Sequence, residues 1–592
     1  MALRGRGAPL AIAALTVLIG LAAFVLSPLF QDLTTYGIHD WDVMAAHRLL
    51  AITAIRDGEL PGTNPYACGG FPAWGYVEGA TVVVSPLLPV YLWFDLRLAL
   101  RLEVVFFVLL GMAGTLRLAG RFGASWGARV LAVVLFAFTS RVTLQAASGH
   151  TWHLVYALLP WALYAFERAR KFPTRSRHVV LLAAVLALGV YWGGIYPLPH
   201  MALMLTLYAT GHCLAGRSAR PALALAASSG LALLLAAPKL LPILDTFGRA
   251  PRLIDSSETL SVGAFLRLLT ARNQGFYDRP AEVSPYGFHE WGLYLSVAGA
   301  AVLAAAIALA RTRRQRVLAG VSVLFLVLGF GAFSPVAPWT LLHRNVPVFS
   351  SQHVPSRFLY PAVLPAALVA VSLLCAALRK LGRHRRAAEW GVLAFAAILG
   401  LDLAVVARKP LGEAMVLVAP DIERAPTFTQ QRRSTLQYVN RDWAMPLLLP
   451  TMRNQGVIEC YGVPTFSPRG AAPQRSPRYA GESWLSDGRT LTLVGETTQS
   501  RSFVLDGGPA ARLVLNLNFD ASYRARVRGP EIDAVVEAHD HGGKVAFALP
   551  EHTQAVTVRY RPRGLGPGLL LAAAGATVAA VIARRERRGL PS

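Results

Sequence analysis

Runs of about 20 predominantly apolar residues dominate this chain, and a helix of that length is what crosses the hydrocarbon core of a bilayer. The first run, Ala8 to Phe30, follows Arg4 and Arg6. Its length and the lack of a clean small-residue cleavage site make it a retained anchor rather than a signal peptide. Further runs fall at 99–118, 130–145, 153–166, 179–196, 199–215, 222–242, 291–310, 317–333, 357–378, 388–407 and 565–583, so about twelve spanning helices are expected. Only 15% of the 592 residues are charged, against about 25% in soluble proteins. That excludes a soluble multidomain enzyme and a disordered chain, and leaves an α-helical polytopic membrane protein.

The net charge of +25 would suggest nucleic acid in a soluble protein, but here its location decides the matter. With a cytoplasmic N-terminus, the inner segments are the N-terminus, 117–129, 167–178, 216–221, 311–316, 379–386 and 584–588. They hold 25 Lys and Arg and only two acids, Glu167 and Glu586. Every short inner loop is basic, as the positive-inside rule requires. No nucleic-acid partner is needed, and both termini are expected in the cytoplasm of a bacterial inner membrane. The four cysteines, Cys68, Cys213, Cys375 and Cys460, show no zinc spacing. Cys68 and Cys460 fall on the outer, oxidising side and Cys213 and Cys375 in spans, and nothing in the sequence dictates a Cys68–Cys460 bond.

The outer side receives 31–98, 243–290, 334–356 and 408–563. The expected organisation is a membrane domain over 1–407, an extracytoplasmic β-rich domain over 408–563, and a last span with a basic tail over 564–592. Two-residue alternation marks strands at Thr490–Val494, Ser502–Leu505, Arg512–Leu517, Ala534–Glu537, Val545–Leu549 and Ala555–Tyr560. Asp506-Gly507-Gly508, Gly529-Pro530 and His541-Gly542-Gly543 supply turns between them. The stretch 420–485 shows no clear element.

Chemistry-bearing residues gather where spans meet outer loops. His39-Asp40-Trp41-Asp42 follows the first span. Either acid could serve as a general base or metal ligand, or could cap the helix beginning near Val43. The same loop carries Phe71, Trp74 and Tyr76 among glycines and prolines, a composition that suits sugar rings or an interfacial aromatic belt. His150 and His153 have the i, i+3 spacing of one helix face, fit for a phosphate or metal or for packing. Glu290 abuts a span, where burying a carboxylate requires a cation or a proton-transfer role. Arg357, and similarly Lys239, is an outer-side cation that an anionic partner or a headgroup would explain. No P-loop, GxSxG or HExxH motif is present, which argues against an ATP-driven transporter and a zinc protease of that class.

These features together resemble the GT-C membrane glycosyltransferases, and among them the bacterial YfhO-like membrane proteins. The stretches that carry the resemblance are His39-Asp40-Trp41-Asp42, Gly69 to Trp74, Ser85-Pro86-Leu87, Gly149 to Trp161, Gly287 to Tyr294 and Pro355-Ser356-Arg357-Phe358. In the tail they are Leu515 to Asp520, Tyr523-Arg524-Ala525 and Gly566 to Leu571, with Tyr523 standing where the family has Trp. The resemblance implies transfer of a sugar from a polyprenyl-phosphate donor to an extracytoplasmic glycan, lipid or protein acceptor, at a site framed by spans. It implies Asp40, then Asp42, as the catalytic acid, with Glu290 as a second. Arg357, His150 and His153 would contact the donor phosphate. Trp41, Phe71, Trp74 and Tyr76 would form a substrate loop, and a divalent metal at the loop acid is compatible with the family. Two other classes fit a polytopic chain of this kind: a flippase for lipid-linked glycans and a non-catalytic envelope scaffold. Paired repeats and mid-span polar residues would favour the flippase; no repeat is seen, and the charges gather at the outer ends.

Overall fold

The computed structural model describes residues 8–171, 177–279, 286–443, 445–460 and 470–587; Arg4 and Arg6 lie outside the described residues. Among the described residues, seven helices are long and apolar enough to cross a membrane: Ala8–Phe30, Trp126–Ala147, Arg220–Arg249, Phe288–Ala308, Pro355–Lys380, Gly382–Gly412 and Leu565–Glu586. The other five expected spans are also helical but are shorter, broken, more charged or, in Pro197–Gly216, diluted by prolines and histidines. Leu96–Gly120 carries Arg97, Arg101, Glu103 and Arg117. The 153–166 run breaks into Thr151–Leu154, a 3-10 turn and Leu159–Ala169. Arg177–Tyr191 has 15 residues and Arg313–Gly329 has 17; Pro197–Gly216 completes the set.

The ion pairs sort the loops by side. Glu167 binds Arg314 at 2.6 Å, and Arg177 binds Glu586 at 3.2 Å, so three of the basic segments expected inside lie together. The first outer loop, residues 145–152, Glu290 and Arg357 gather with one another instead. Cys375 lies in the Pro355–Lys380 span and Cys213 in the helix Pro197–Gly216.

After the helix Arg385–Gly412, the chain does not enter a β domain at once. Residues 413–460 strap across the first outer loop. Met415–Leu417 pairs antiparallel with Tyr36–Gly37, and Thr429–Gln431 pairs parallel with Gln455–Val457. The absence of periodicity here follows from such short pairings, which make too few alternating positions to read.

The β sandwich has nine strands: β1 (Ser483–Leu485), β2 (Leu491–Glu496), β3 (Ser500–Leu505), β4 (Ala511–Asn518), β5 (Tyr523–Gly529), β6 (Ile532–Glu537), β7 (His539–His541), β8 (Lys544–Leu549) and β9 (Ala555–Tyr560). One sheet has the order β7-β8-β4-β1 and the other β6-β5-β9-β3-β2. The inward residues Phe503, Leu513, Leu515, Val527, Phe547 and Val556 form its core. Six strands match the alternating runs in the sequence. β5 was not among them, because Arg524, Arg526 and Arg528 alternate with the buried Ala525 and Val527 and mask its apolar face. β1 and β7 have three residues each, too few to signal by pattern.

The sandwich docks on the first outer loop, whose Tyr66 and Ala73 enter its core. The Gln499 carboxamide accepts from the Gly62 and Thr63 backbone N–H groups and donates to the Thr63 carbonyl. Asn518 N–H donates to the Gly69 carbonyl at 2.7 Å. Cys68 and Cys460, between which the sequence dictated no bond, form a disulfide with Cα atoms 4.5 Å apart. It links the loop to the strap across 392 residues of sequence. Cross-linking of this kind limits the unfolded ensemble. Cys68→Ser is expected to lower the unfolding free energy by about 3 kcal/mol, and intact mass of the unreduced protein should show two protons fewer than after reduction. An unchanged mass on reduction would refute the bond.

Candidate active site

The helix Trp41–Arg56 starts one residue after Asp40, which occupies its N-cap position but makes no side-chain capping bond. The carboxylate is therefore free for other work. His39, just before it, has φ 55°, a strained left-handed conformation for a residue with a Cβ. Gly149 sets how closely the next element can approach. Its φ is 77°, and a Cβ there would stand 2.1 Å from the Trp41 backbone nitrogen. That contact lets the Ser148 carbonyl accept from the Asp40 N–H at 3.1 Å and presses residues 148–150 against the acid.

Four separate segments meet here. Asp40 Oδ1 lies 3.3 Å from His39 Nδ1, and its Oδ2 lies 3.2 Å from His150 Nε2. The same His150 nitrogen is 3.8 Å from Glu290 Oε1. Arg357 grips Glu290 through two parallel bonds, Nη2 to Oε1 at 2.6 Å and Nε to Oε2 at 3.1 Å. The guanidinium lies against the paired rings of Trp152 and Tyr196, 4.6 and 4.1 Å from their centroids. Arg141 donates to the Glu290 carbonyl. Val354, at φ 55° ahead of Pro355, is a second strained residue beside this cluster, in a conformation that a residue preceding proline resists.

Exposure separates a reachable layer from a supporting one. His39 and Asp40 side chains are 34% and 31% exposed, while Glu290 and Arg357 are 7% and 3%. Phe276, His289 and Trp443 ring His39, with centroids 5.9, 5.8 and 6.4 Å away. They frame the acid with aromatic edges.

Gln145 determines what His150 can do. Its Nε2 donates to the His289 carbonyl at 2.5 Å, so its Oε1 must accept, and it faces His150 Nδ1 at 2.9 Å. His150 Nδ1 therefore carries a proton. Its Nε2 then faces two carboxylates, and needs either a second proton or a cation between them. Burial would raise the Asp40 carboxyl; the hydrogen bond from His150 and the charges of His39 and His150 outweigh it and hold the acid below its ordinary range. Ligand atoms of His39, Asp40 and His150 all lie within 4.8 Å of one another. Two imidazoles and one carboxylate suit a transition-type divalent ion better than Mg²⁺ or Ca²⁺.

Several residues singled out from sequence lie elsewhere. Asp42 is buried and accepts from the Tyr438 hydroxyl at 2.6 Å and from the Leu447 and Leu448 N–H groups. It anchors the strap helix Leu448–Met452, because two residues along a helix turn the side chain by about 200°, away from the Asp40 side. Trp41 is buried with its indole N–H on the Ala146 carbonyl. Phe71, Trp74 and Tyr76 are buried too. Lys239 binds the carbonyls of Trp74, Tyr76 and Gly79 at 2.8, 2.8 and 2.6 Å, so it closes that loop rather than meeting an anionic partner. His153 is buried among Trp152, Tyr156 and Tyr360 with neither ring nitrogen hydrogen-bonded. Sequence reasoning missed His39, Arg141, Gln145 and His289 as site members. Only His39 carried a signal, its place beside Asp40.

Burial pushes Asp42 from 3.8 up to about 6, against the Tyr438 and backbone hydrogen bonds that favour ionisation. Between these values the folded state binds more protons than the unfolded one, so this residue's contribution to stability falls as pH rises through that window. Asp42→Asn removes the slope. Relative to wild type, the variant should gain up to about 3 kcal/mol between pH 4 and 6 and keep its activity. Parallel thermal denaturation at both pH values measures this, and equal slopes would show that Asp42 does not titrate there.

No family model and no curated protein matches the chain. Among solved structures it is similar to a cryo-EM structure of the arabinofuranosyltransferase AftD from Mycobacteria, at 15% identity and TM-score 0.42, over 95% of this chain and 57% of that one. It is similar also to a mutant form of that enzyme, at 14% identity and TM-score 0.40, over 95% and 60%. The chain thus spans less than two thirds of the length of the transferase it matches.

Proposed function

We propose that this chain is a GT-C-type membrane glycosyltransferase that moves a sugar from a polyprenyl-phosphate donor to a glycan, lipid or protein acceptor outside the cytoplasm. The observation that carries the reading is the convergence of Asp40, His150, Glu290 and Arg357 from four distant segments, with only the His39–Asp40 edge reachable. The sequence resemblance points to the same acid.

Asp40 is the general base. It takes the proton of an acceptor hydroxyl as the acceptor oxygen bonds to the anomeric carbon, and the donor's carbon–oxygen bond breaks with its electron pair leaving on the phosphate. Its lowered pKa keeps it ionised across neutral pH. His150 holds the carboxylate in place. Arg357 is a positioning residue in this scheme. Its charge is matched by Glu290, which in turn faces His150. Held by His39, Asp40 and His150 in place of a second proton on His150, a divalent ion would supply the positive charge that meets the leaving phosphate. Phe276, His289 and Trp443 provide the aromatic rim that sugar rings favour. The β sandwich and the strap sit on the outer side, and the basic loops in the cytoplasm.

The test is transfer by the purified protein, in lipid, from a polyprenyl-phosphate sugar to an envelope glycan extract. Transfer lost on chelation and restored by Mn²⁺ would support the metal role. A folded protein that transfers nothing from a panel of such donors, or that moves the donor across the bilayer unchanged, would overturn the reading.

A further inference from the structure

We propose that the junction between the first outer loop and the β sandwich is a second saccharide site, one that holds a single sugar residue bearing a carboxylate. A cavity of about 230 Å³ lies there, and shares no lining residue with the Asp40 cluster. At about 30 Å³ per water it holds roughly seven waters, or one pyranose ring. It is too small for the drug-sized ligands that fill pockets of about 300–1,000 Å³.

Its wall is built for an anion. Among the described lining residues, the charged groups are Arg424, Arg501 and Glu496. Arg501 is 8% exposed. Its Nε binds Glu496 at 2.8 Å and its guanidinium lies over Phe428, 4.8 Å from the ring centroid. Its Nη1 is buried without a hydrogen-bond partner. A buried guanidinium N–H left unmatched is costly, and a carboxylate or hydroxyl oxygen in the cavity would satisfy it. Arg424 stands on the exposed rim, its Nη2 on the Tyr66 hydroxyl at 3.3 Å and Asn454 Oδ1 at 3.2 Å. The cavity wall itself presents two guanidinium groups and one carboxylate, while Glu482 and Asp57 act on Arg501 and Arg424 from behind it. The Tyr66 ring and the polar edges of Asn454 and Thr498 supply the mixed surface a sugar needs.

The choice of a sugar rests on the glycosyl-transfer reading, whereas the site's existence does not. Calorimetric titration of the full chain in nanodiscs, with D-glucuronate and D-glucose as probes, separates the two. Glucuronate should bind, and glucose about tenfold more weakly or not at all. Arg501→Gln and, at the rim, Arg424→Ala should each weaken glucuronate about tenfold. Arg424 is exposed, so its variant remains informative where Arg501→Gln fails to fold. Glucuronate binding should persist in Asp40→Asn. Loss of binding in that variant would move the probe to the Asp40 cleft and overturn the proposal. So would equal binding of both sugars, insensitivity to Arg424→Ala, or no glucuronate binding up to about 10 mM. Glucuronate binding by a protein that transfers nothing would leave this site standing and remove the transferase.

Discussion

Asp40→Asn is expected to lower sugar transfer by about 10²–10⁴-fold, the usual contribution of a positioned general base. Stability should change by less than about 1 kcal/mol, because the side chain is partly exposed and caps no helix. The comparison with Asp42→Asn is the sharper experiment. Both are aspartates two residues apart, yet one faces the cleft and the other anchors the strap, so only Asp40→Asn should abolish transfer while donor binding is retained. The pH profile carries a second check. Since His150 and His39 hold Asp40 below the ordinary carboxylate range, the acid limb of the profile should lie below that range. An Asp40→Asn variant with wild-type turnover would refute the assignment.

Arg357→Ala should be the most damaging substitution for the fold itself. It leaves Glu290 buried and uncompensated, and breaking a buried pair in this way costs about 3–5 kcal/mol. It also removes the cation that packs against Trp152 and Tyr196. The expected result is a large fall in unfolding temperature and poor yield of folded protein. Pairing it with Glu290→Gln should recover part of the loss, since the lone buried charge is then gone. Thermal unfolding of the two singles and the double in detergent gives the coupling directly. Singles that add without coupling would contradict the geometry. The recovered double should still transfer poorly if Glu290 positions His150.

Loop lengths, apolar runs and the placement of Lys and Arg were enough to read an α-helical membrane protein with a β-rich outer part, because these signals are local and additive along the chain. Six strands of the sandwich were legible for the same reason, whereas β5 was not: its inward face alternates with Arg524, Arg526 and Arg528 but offers only Tyr523, Ala525 and Val527, a weak apolar signal among three charges. Asp40, His150, Glu290 and Arg357 could be named from residue type and position at span ends. What no local pattern contains is direction. Asp40 and Asp42 differ by about half a turn of side-chain orientation, and only the helix start at Trp41, held by the Gly149 approach, decides which faces the cleft. The Phe71 to Tyr76 loop could be read as a sugar platform until Lys239, from a helix more than 160 residues away in sequence, proved to fasten it shut. The Cys68–Cys460 bond and the cavity beside Arg501 depend likewise on docking of the strap and sandwich against the first loop. Sequence by itself determined which residue types stand at the ends of the apolar runs and which runs are candidate spans. Tertiary structure alone decided which of those residues meet, because long-range contacts between four loops are fixed by packing and close backbone approach rather than by any periodicity within a segment.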